Sequence, residues 1–470
     1  MNKEDKPLKV AIKTFGCQMN DYDSDLALGM LKKQGYSATQ KEEDADVILF
    51  NTCSVREHAE DRVFNQIAEL RLLKQRRPDV LIGVMGCMVE NYKTKFFDDF
   101  PQVDLLIGTR SIQDLPKAIE KARSERIKVS EIKKTGFGYE FLETPRMEGK
   151  HRAFLPIMTG CDKVCSFCIV PYVRGPEISR RSREVIDEVK RLSDLGVKHI
   201  TLLGQNVNSY GSKLTEEINF SKLLREVAKI TGIEKISFTT SHPQDAYEEL
   251  FLAIRDEEKI SRRFHLPLQS GSDEILKRMR RDHTLAEYRV KIDRMRELVP
   301  DISITTDIIC GFPGESEQDY ESTKKAIQDI CFDGAFIFKY SARPHTGAAR
   351  YDDHIPDEEK TRRVTELLRI EKKIMRANNE KWIGKICKVM IHERSKKSAH
   401  EVLAHNWRDN KVVFPGSADE AGKILNVRLK ELYNETFLAE RVSHCETEGR
   451  SNPSSEIASA ASQPRNDISS

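Results

Sequence analysis

The cysteines are the residues of this chain whose spacing most clearly indicates chemistry. Residues 158–175 read MTGCDKVCSFCIVPYVRG, so Cys161, Cys165 and Cys168 have the spacing C-x3-C-x2-C. A zinc site with three cysteines needs a fourth ligand nearby, and the nearest histidine, His151, lies beyond the predicted strand that leads to this loop. Iron–sulfur clusters take cysteine thiolates, normally one per iron, so three cysteines on a four-iron cluster leave one iron open to a substrate or cofactor. The spacing favours an open [4Fe-4S] cluster, and three unrelated loop cysteines are the alternative.

A second group of three cysteines is spread over the N-terminal part of the chain. Cys17, Cys53 and Cys87 each follow a short apolar run, in TFGCQMN, FNTCSV and VMGCMVE. The strands of an open parallel α/β sheet end at the same edge, where ligands bind, so we expect these cysteines to meet in space. Free cysteine is also a common buried packing residue, but its recurrence in three consecutive units favours a shared site.

Two stretches of strand–helix alternation position these cysteines. In residues 8–124 the alternation is typical of an open parallel α/β sheet covered by helices, with candidate strands at 8–16, 45–52, 80–86 and 103–108. From 147 to 375 it resumes as six βα units and predicts a partial (β/α)6 barrel, whose chemistry lies at the carboxyl ends of its strands. The candidate barrel strands are 153–160, 199–206, 235–241, 264–270, 302–312 and 334–342. The C-x3-C-x2-C loop directly follows the first of them.

The C-terminal part changes character. Residues 376–443 consist of short β-like runs separated by turns, which indicates a small closed β-barrel of the kind that binds oligonucleotides. Trp407 could stack on a base or fill the small core, and we expect the core. Residues 124–151 resemble a linker, and 446–470, rich in serine and without aromatics, are expected to be disordered.

Composition bounds the class of protein. The chain has ten cysteines in 470 residues, 32% charged residues and a formal net charge of +2, which gives no indication for or against a nucleic-acid partner. No apolar run approaches the length of a membrane span, and MNKEDKPLKV is unlike a signal peptide. We therefore expect a cytoplasmic protein without a membrane partner. In a reducing compartment, metal or catalytic roles are commoner for cysteine than disulfides.

The C-x3-C-x2-C loop after the first strand of a (β/α) barrel resembles the radical S-adenosylmethionine (SAM) superfamily. The resemblance implies a cluster whose open iron binds SAM, reductive cleavage of SAM to a 5′-deoxyadenosyl radical, and abstraction of a hydrogen that no ordinary base removes. It also implies SAM contacts near the adenine, at the GFPGE turn and at strand ends. The candidate SAM-binding residues are Phe167, Gln205, Asn206, Gln269, Asp307 and Gly311.

The second cysteine group and the terminal barrel narrow the resemblance to the radical SAM methylthiotransferases. Members have an N-terminal methylthiotransferase domain, a radical SAM core and a TRAM domain, here 8–124, 147–375 and 376–443. The phrases KTFGCQMNDYDSD, FNTCSVREHAEDRVF, CSFCIVPYVRGPEISR and TTDIICGFPGE are similar to those of the MiaB branch. The resemblance implies two [4Fe-4S] clusters, on Cys17, Cys53 and Cys87 and on Cys161, Cys165 and Cys168. His283 and His345 depart from the family, which usually has tyrosine and glycine there.

The family resemblance also implies a substrate and a reaction. The substrate is tRNA whose adenosine next to the anticodon carries an N6-isopentenyl group, and C2 of that adenine is methylthiolated with SAM as methyl donor and radical source. C2 is not acidic, so a radical is needed rather than acid–base chemistry. Expected partners are the tRNA anticodon arm and an electron donor such as flavodoxin or ferredoxin, with the protein a monomer. The resemblance implies that the terminal barrel contacts the RNA, and the candidate contacts, with ordinary surface charge as the alternative, are Lys385, Lys388, Arg394, Lys396, Lys397 and Arg428.

Two other functions stay open at this point. One is a methylthiotransferase that acts on a ribosomal-protein side chain or on threonylcarbamoyl-adenosine tRNA. The other is a non-catalytic iron–sulfur RNA-binding protein, against which the intact cysteine loop and the GFPGE turn argue, because a binding protein has no need of a SAM site.

Overall fold

The computed structural model describes residues 7–54, 57–133, 141–143 and 151–442. The chain divides into two compact units, Met1–Asn379 with Trp407–Asp409, and Glu380–Asn406 with Asn410–Ser470. The predicted tail at 446–470 lies outside the described residues, as do parts of the predicted linker at 124–151. No helix in the described ranges is both long enough and apolar enough to cross a membrane.

The N-terminal part of the first unit is a parallel sheet with helices on both faces. Its strands are β1 (Lys9–Phe15), β2 (Ser37–Ala38), β3 (Val47–Thr52), β4 (Leu81–Gly86), β5 (Leu105–Ile107) and β6 (Val129–Glu131). Its helices are α1 (Gln18–Lys33), α2 (Glu57–Arg76), α3 (Cys87–Tyr92), α4 (Lys95–Asp99) and α5 (Leu115–Glu125). All neighbouring strands are parallel, in the order β2-β1-β3-β4-β5-β6.

The central strand β3 shows why these strands are continuous apolar runs. Val47 and Leu49 pack with α1 and α5 on one face, whereas Ile48 and Phe50 pack with residues of α2 and α3 on the other. Every residue of β3 is buried. A strand covered on both faces needs apolar side chains at every position.

The rest of the first unit is a second set of parallel strands with covering helices. Its strands are β7 (Arg152–Pro156), β8 (Met158–Thr159), β9 (Ile178–Ser179), β10 (His199–Leu203), β11 (Lys235–Phe238), β12 (Arg263–His265), β13 (Ser303–Cys310) and β14 (Gly334–Lys339). Its helices are α6 (Val170–Val173), α7 (Ser182–Asp194), α8 (Phe220–Ala228), α9 (Glu248–Asp256), α10 (Asp273–Arg278), α11 (Leu285–Leu298), α12 (Glu317–Ile330) and α13 (Asp357–Glu380). Short 3-10 turns occur at Glu42–Asp44, Ile112–Asp114, Val207–Ser209, Pro243–Asp245, Ala348–Arg350 and, in the second unit, Ala418–Glu420.

Six of these strands follow one another in chain order, as in a barrel. Strands β7, β10 and β11 form one parallel sheet and β12, β13 and β14 another. A parallel bridge between Ile236 and Ile260 links β11 to the segment before β12. Strands β8 and β9 form a separate antiparallel pair beside the cysteine loop. The predicted α/β fold class with six barrel strands is confirmed.

The fourth barrel strand is shorter than predicted. The sequence predicts a strand at 264–270, but β12 ends at His265. Pro267 has no N–H to donate to a strand ladder, and Gln269 has φ +73°, outside the extended region. The segment after β12 is therefore a loop at the carboxyl end of the barrel.

The second unit is a closed five-stranded β-barrel, as predicted. Its strands are β15 (Ile386–Arg394), β16 (Glu401–Asn406), β17 (Lys411–Pro415), β18 (Ile424–Tyr433) and β19 (Thr436–Arg441), in the order β15-β16-β17-β19-β18. Alternate residues such as Val402 and Ala404 face its core. Trp407 does not, and that prediction is wrong: its indole Nε1 donates to the carbonyl oxygen of Glu258 at 2.9 Å within the first unit. Trp382 packs against the small core instead.

Candidate active site

The N-terminal cysteines lie at one edge of the first sheet. Strands β1, β3 and β4 are adjacent, and their last residues are in register, with pairs Phe15–Thr52 and Thr52–Gly86. Cys17, Cys53 and Cys87 follow these strand ends in the chain. The side chains of Cys17 and Cys53 are hydrogen-bonded to each other, and Cys17 interacts electrostatically with Cys87.

Local backbone geometry turns these cysteines toward the edge. Gly86 has φ +97°, and a Cβ there would lie 2.5 Å from the carbonyl oxygen of Thr52, so only glycine fits where β4 turns directly into α3 at Cys87. Cys17 is the N-cap residue of α1. Its backbone N–H donates to Oδ1 of Asn20 at 3.2 Å, and its Sγ lies 3.4 Å from the same oxygen.

A buried arginine and a buried aspartate lie beside this cysteine set. Arg174 Nη2 is 3.0 Å from Asp23 Oδ2, and the Arg174 guanidinium hydrogen-bonds to the Cys87 side chain. Burial raises the pKa of Cys87, and the charge of Arg174 opposes that rise. The hydrogen bond with Cys53 lowers the pKa of Cys17 to about 5, with Arg174 contributing in the same direction.

The C-x3-C-x2-C loop follows β8 and is held by backbone hydrogen bonds. The N–H of Cys161 donates to the carbonyl oxygen of Gly175 at 3.1 Å, and the N–H of Cys168 donates to that of Cys165 at 3.1 Å. Burial raises the pKa of Cys161 to about 11 and that of Cys168 to about 12. Neutral, partly buried thiols of this kind become thiolates when they bind a metal.

Other parts of the barrel fix the loop from outside. Arg281 donates from Nη1 to Cys165 Sγ at 3.4 Å and from Nη2 to the carbonyl oxygen of Pro267 at 2.9 Å. Lys163, inside the loop, pairs with Asp245 at 3.0 Å. Ser166 Oγ donates to the carbonyl oxygen at 278 at 2.8 Å. Each cysteine set therefore has one buried guanidinium against a sulfur.

Helix α6 joins the two cysteine sets within the first unit. Ile169 and Val173 form a small buried cluster with Cys87. The carbonyl oxygen of Val173 accepts a hydrogen bond from Thr109 Oγ1 at 2.8 Å. The chain that leaves Cys168 thus packs directly on the sheet edge that carries Cys87.

The residues of the cysteine loop have the chemistry that an iron–sulfur cluster needs. Among the described residues, no three of the His, Cys, Asp and Glu side chains converge closely enough to hold one metal ion. A zinc ion needs its ligands around a single centre, whereas a four-iron cluster takes one thiolate at each of several corners. Cys161, Cys165 and Cys168, with Arg281 donating to Cys165, have donors of the second kind.

The carboxyl end of the barrel offers buried polar atoms for a polar ligand. Asn206 donates from Nδ2 to Asp245 Oδ2 at 2.7 Å, but its buried Oδ1 has no partner in the described part of the chain. Gln269 has a buried Oε1 that likewise lacks a partner there, and its backbone is in the left-handed region. Gln205 differs, because its Oε1 accepts the N–H of Gly160 at 2.5 Å. Unpaired buried oxygens and backbone strain are typical of ligand sites.

The other three predicted SAM-binding residues do not have unpaired buried oxygens like those of Asn206 and Gln269. Phe167 packs at the edge of a small apolar cluster that includes Phe312. Gly311 has φ +71° and donates its N–H to Glu315 Oε2 at 2.7 Å, which closes the GFPGE turn. Asp307 lies within β13 rather than at its end, with Oδ2 at 3.4 Å from Nε2 of His265.

The candidate SAM-binding residues named from the sequence leave out several buried polar residues of this region. Ser241 Oγ, His242 Nε2 and both amide atoms of Asn208 are buried without a partner among the described residues. Thr240 has φ +65°, which is unusual for a β-branched residue. The phrase FTTSHPQD, which begins at the last residue of β11, was the available signal for Thr240, Ser241 and His242.

Comparisons with known proteins agree with this geometry. The Radical SAM superfamily model matches residues 155–327, and a model described as uncharacterized protein family UPF0004 matches residues 9–108. A solved radical S-adenosylmethionine methyltransferase, TsrM from Kitasatospora setae, has a similar fold, with TM-score 0.53 and 14% identity over 73% of this chain and 77% of that one. The chain is a radical SAM enzyme, and this class uses a [4Fe-4S] cluster and SAM.

The curated relatives give the family. A tRNA-2-methylthio-N(6)-dimethylallyladenosine synthase from Caldicellulosiruptor saccharolyticus is 44% identical over 89% of each chain. Another from Thermoanaerobacter pseudethanolicus is 43% identical over 93% of each chain. The chain therefore belongs to the tRNA-2-methylthio-N(6)-dimethylallyladenosine synthase family, and the methylthiotransferase resemblance of its motifs is confirmed.

Proposed function

We propose that this enzyme replaces the C2 hydrogen of N6-isopentenyladenosine, next to the anticodon of tRNA, with a methylthio group. SAM is both the methyl donor and the radical source. The observation that carries the proposal is the pair of three-cysteine sets at strand ends on either side of α6 in one unit. The activity in the names of the relatives supports the same reaction.

Each cysteine set has a separate role in this proposal. Cys161, Cys165 and Cys168 would hold the [4Fe-4S] cluster that binds SAM, and Cys17, Cys53 and Cys87 would hold a second one. When bound, SAM would supply the radical and the methyl group, the first cluster would pass an electron from an external donor to SAM, and the second cluster would carry the sulfur.

The chain's own residues bind and orient these groups. The unpartnered Oδ1 of Asn206 and Oε1 of Gln269 can accept hydrogen bonds from polar groups of SAM. The GFPGE turn would bring backbone close to the ligand, and a side chain at Gly311 would collide with that of Lys360. Arg281 donates to Cys165 and keeps the loop against the barrel end.

The substrate side of the proposal rests on nucleic-acid chemistry. The target base would leave its stack and enter the carboxyl end of the barrel, as bases do for enzymes that modify them. The second unit would act as a TRAM domain and grip the anticodon arm, mostly through phosphates. Its candidate contacts are Lys385, Lys388, Arg394, Lys396, Lys397 and Arg428. A flavodoxin or ferredoxin would supply electrons to a cytoplasmic monomer.

Nucleoside mass spectrometry tests the reaction and the substrate together. The anaerobically reconstituted, reduced enzyme is incubated with SAM and isopentenylated tRNA, and the digested tRNA is analysed. A methylthio-isopentenyl-adenosine peak is expected. Unmodified tRNA and a Cys165→Ala enzyme are the controls, and neither should give the peak. If 5′-deoxyadenosine forms without the peak, the substrate is wrong, and a ribosomal protein or threonylcarbamoyl-adenosine tRNA is tested next.

A further inference from the structure

Arg174 occupies an unusual position between the two cysteine sets. It is the C-cap residue of α6, the short helix that follows Cys168. Its carbonyl oxygen accepts a hydrogen bond from Arg110 Nη2 at 2.8 Å. The backbone of Arg174 is therefore attached to the loop after β5, while its side chain points to the cysteines of the first sheet.

Asp23 holds one side of the Arg174 guanidinium. The two side chains are 5% and 1% exposed, and Nη2 and Oδ2 are 3.0 Å apart. The second carboxylate oxygen of Asp23 is buried and has no partner among the described residues, so Arg174 is its principal counter-charge. Breaking such a buried pair by removing one partner is costly, which keeps the guanidinium in one orientation.

The guanidinium also faces sulfur. It hydrogen-bonds to the side chain of Cys87 and interacts favourably with the thiolate form of Cys17. A guanidinium has five donors in a planar fork, and Asp23 uses only part of them. Hydrogen bonds to the sulfurs of an iron–sulfur cluster, and positive charge near them, change its reduction potential.

We propose that Arg174, oriented by Asp23, is a positioning residue for the group bound by Cys17, Cys53 and Cys87. It donates hydrogen bonds to the sulfurs of that group and makes it easier to reduce. It also keeps that group aligned with the SAM-binding loop, because α6 directly follows Cys168. The inference rests on the proposed second cluster.

The first experiment isolates that cluster. In a full-length chain with Cys161, Cys165 and Cys168 all changed to Ala, only the N-terminal set is left to bind iron. Arg174→Gln and Arg174→Lys are added to this background, all three proteins are reconstituted with iron and sulfide, and iron content and reduction potential are measured by anaerobic titration with EPR. The expected result is equal iron content, a more negative potential for Arg174→Gln, and a smaller shift for Arg174→Lys, which keeps the charge but loses the fork.

Two outcomes would contradict the proposal, and they distinguish a wrong role for Arg174 from the absence of the second cluster. Equal potentials at equal iron content overturn the role of Arg174 and leave the second cluster intact. A parent variant that binds no iron overturns the second cluster, and the Arg174 inference with it. If Arg174→Gln does not fold, Arg174→Lys carries the comparison, with the same two criteria.

The second experiment uses the enzyme with all six cysteines. It measures the ratio of methylthio product to 5′-deoxyadenosine. Arg174→Gln should form 5′-deoxyadenosine but give several-fold less methylthio product per 5′-deoxyadenosine. Arg408→Gln is the matched control, because Arg408 is a buried arginine 2.7 Å from Asp333, at the amino end of β14 and so at the opposite end of the barrel strands. It should leave that ratio unchanged. If this ratio is unchanged in Arg174→Gln as well, Arg174 has only a structural role and the proposal is wrong.

Discussion

The GFPGE turn is held by a buried carboxylate, and one substitution tests how much this carboxylate stabilises the protein. Glu315 is 1% exposed, and its Oε2 accepts hydrogen bonds from Arg363 Nη1 at 2.6 Å and from the N–H of Gly311 at 2.7 Å. Glu315→Gln keeps an oxygen that can accept these bonds but removes the charge opposite the buried guanidinium. Removing one partner of a buried pair costs about 3–5 kcal/mol. Glu359 Oε1 still lies 2.7 Å from Arg363, so we expect the lower end, about 3 kcal/mol.

The measurement is the change in unfolding free energy by urea denaturation, with the m-value checked for constancy. Glu317→Gln is the control, because Glu317 pairs with the same Arg363 at 3.4 Å but is 56% exposed. It should cost less than about 1 kcal/mol, as exposed ion pairs do. The double variant Glu315→Gln with Arg363→Gln should lose less than the two single changes together. Equal effects of Glu315→Gln and Glu317→Gln would refute the reasoning.

Three further predictions concern the cysteines, a strained turn and acid stability. Cys53→Ala should retain 5′-deoxyadenosine formation and lose methylthio transfer, whereas Cys165→Ala should lose both, as measured by mass spectrometry. His345 has φ +70°, so His345→Gly should relieve about 1 kcal/mol of strain, seen as a higher thermal midpoint. Burial lowers the pKa of His242 to about 2 and that of His283 to about 4, from an ordinary 6.5. The unfolded chain therefore takes up these protons first. Urea midpoints should fall as the pH drops from 6.5 toward 4, and His283→Tyr should weaken that fall.

Each of these predictions has a clear contrary result. Equal loss of both activities in Cys53→Ala would count against divided roles for two clusters. A lower thermal midpoint for His345→Gly would show that the contact of its ring with Tyr172, at 6.0 Å between centroids, outweighs the strain. Arg281 and Lys291 add to burial in disfavouring the charged form of both histidines, and Glu287 opposes them at His283. A pH profile that His283→Tyr leaves unchanged would mean that His283 does not contribute to it.

Fold and cysteine positions were predictable because they depend on local patterns. The strand predicted at 45–52 is Val47–Thr52, which is apolar because both of its faces are covered. Arg174 and Arg281 could not be found in the same way. Their partners Asp23 and Cys165 are far away along the chain, and a long charged side chain is usually exposed. The same limit applies to Trp407, whose partner Glu258 only folding brings near.

The register of β1, β3 and β4 has a consequence for how the protein matures. Cys161, Cys165 and Cys168 are neighbours along the chain, so under the proposed function an unfolded segment would already offer all three ligands of its cluster. Cys17, Cys53 and Cys87 meet only after three strands have paired, so an unfolded chain offers no such site. A group that binds only the folded form stabilises that form by mass action. A group that also binds the unfolded chain stabilises the folded form less. If Cys17, Cys53 and Cys87 hold the proposed second cluster, iron supply should therefore affect the lifetime of the N-terminal sheet in the cell more strongly than that of the barrel.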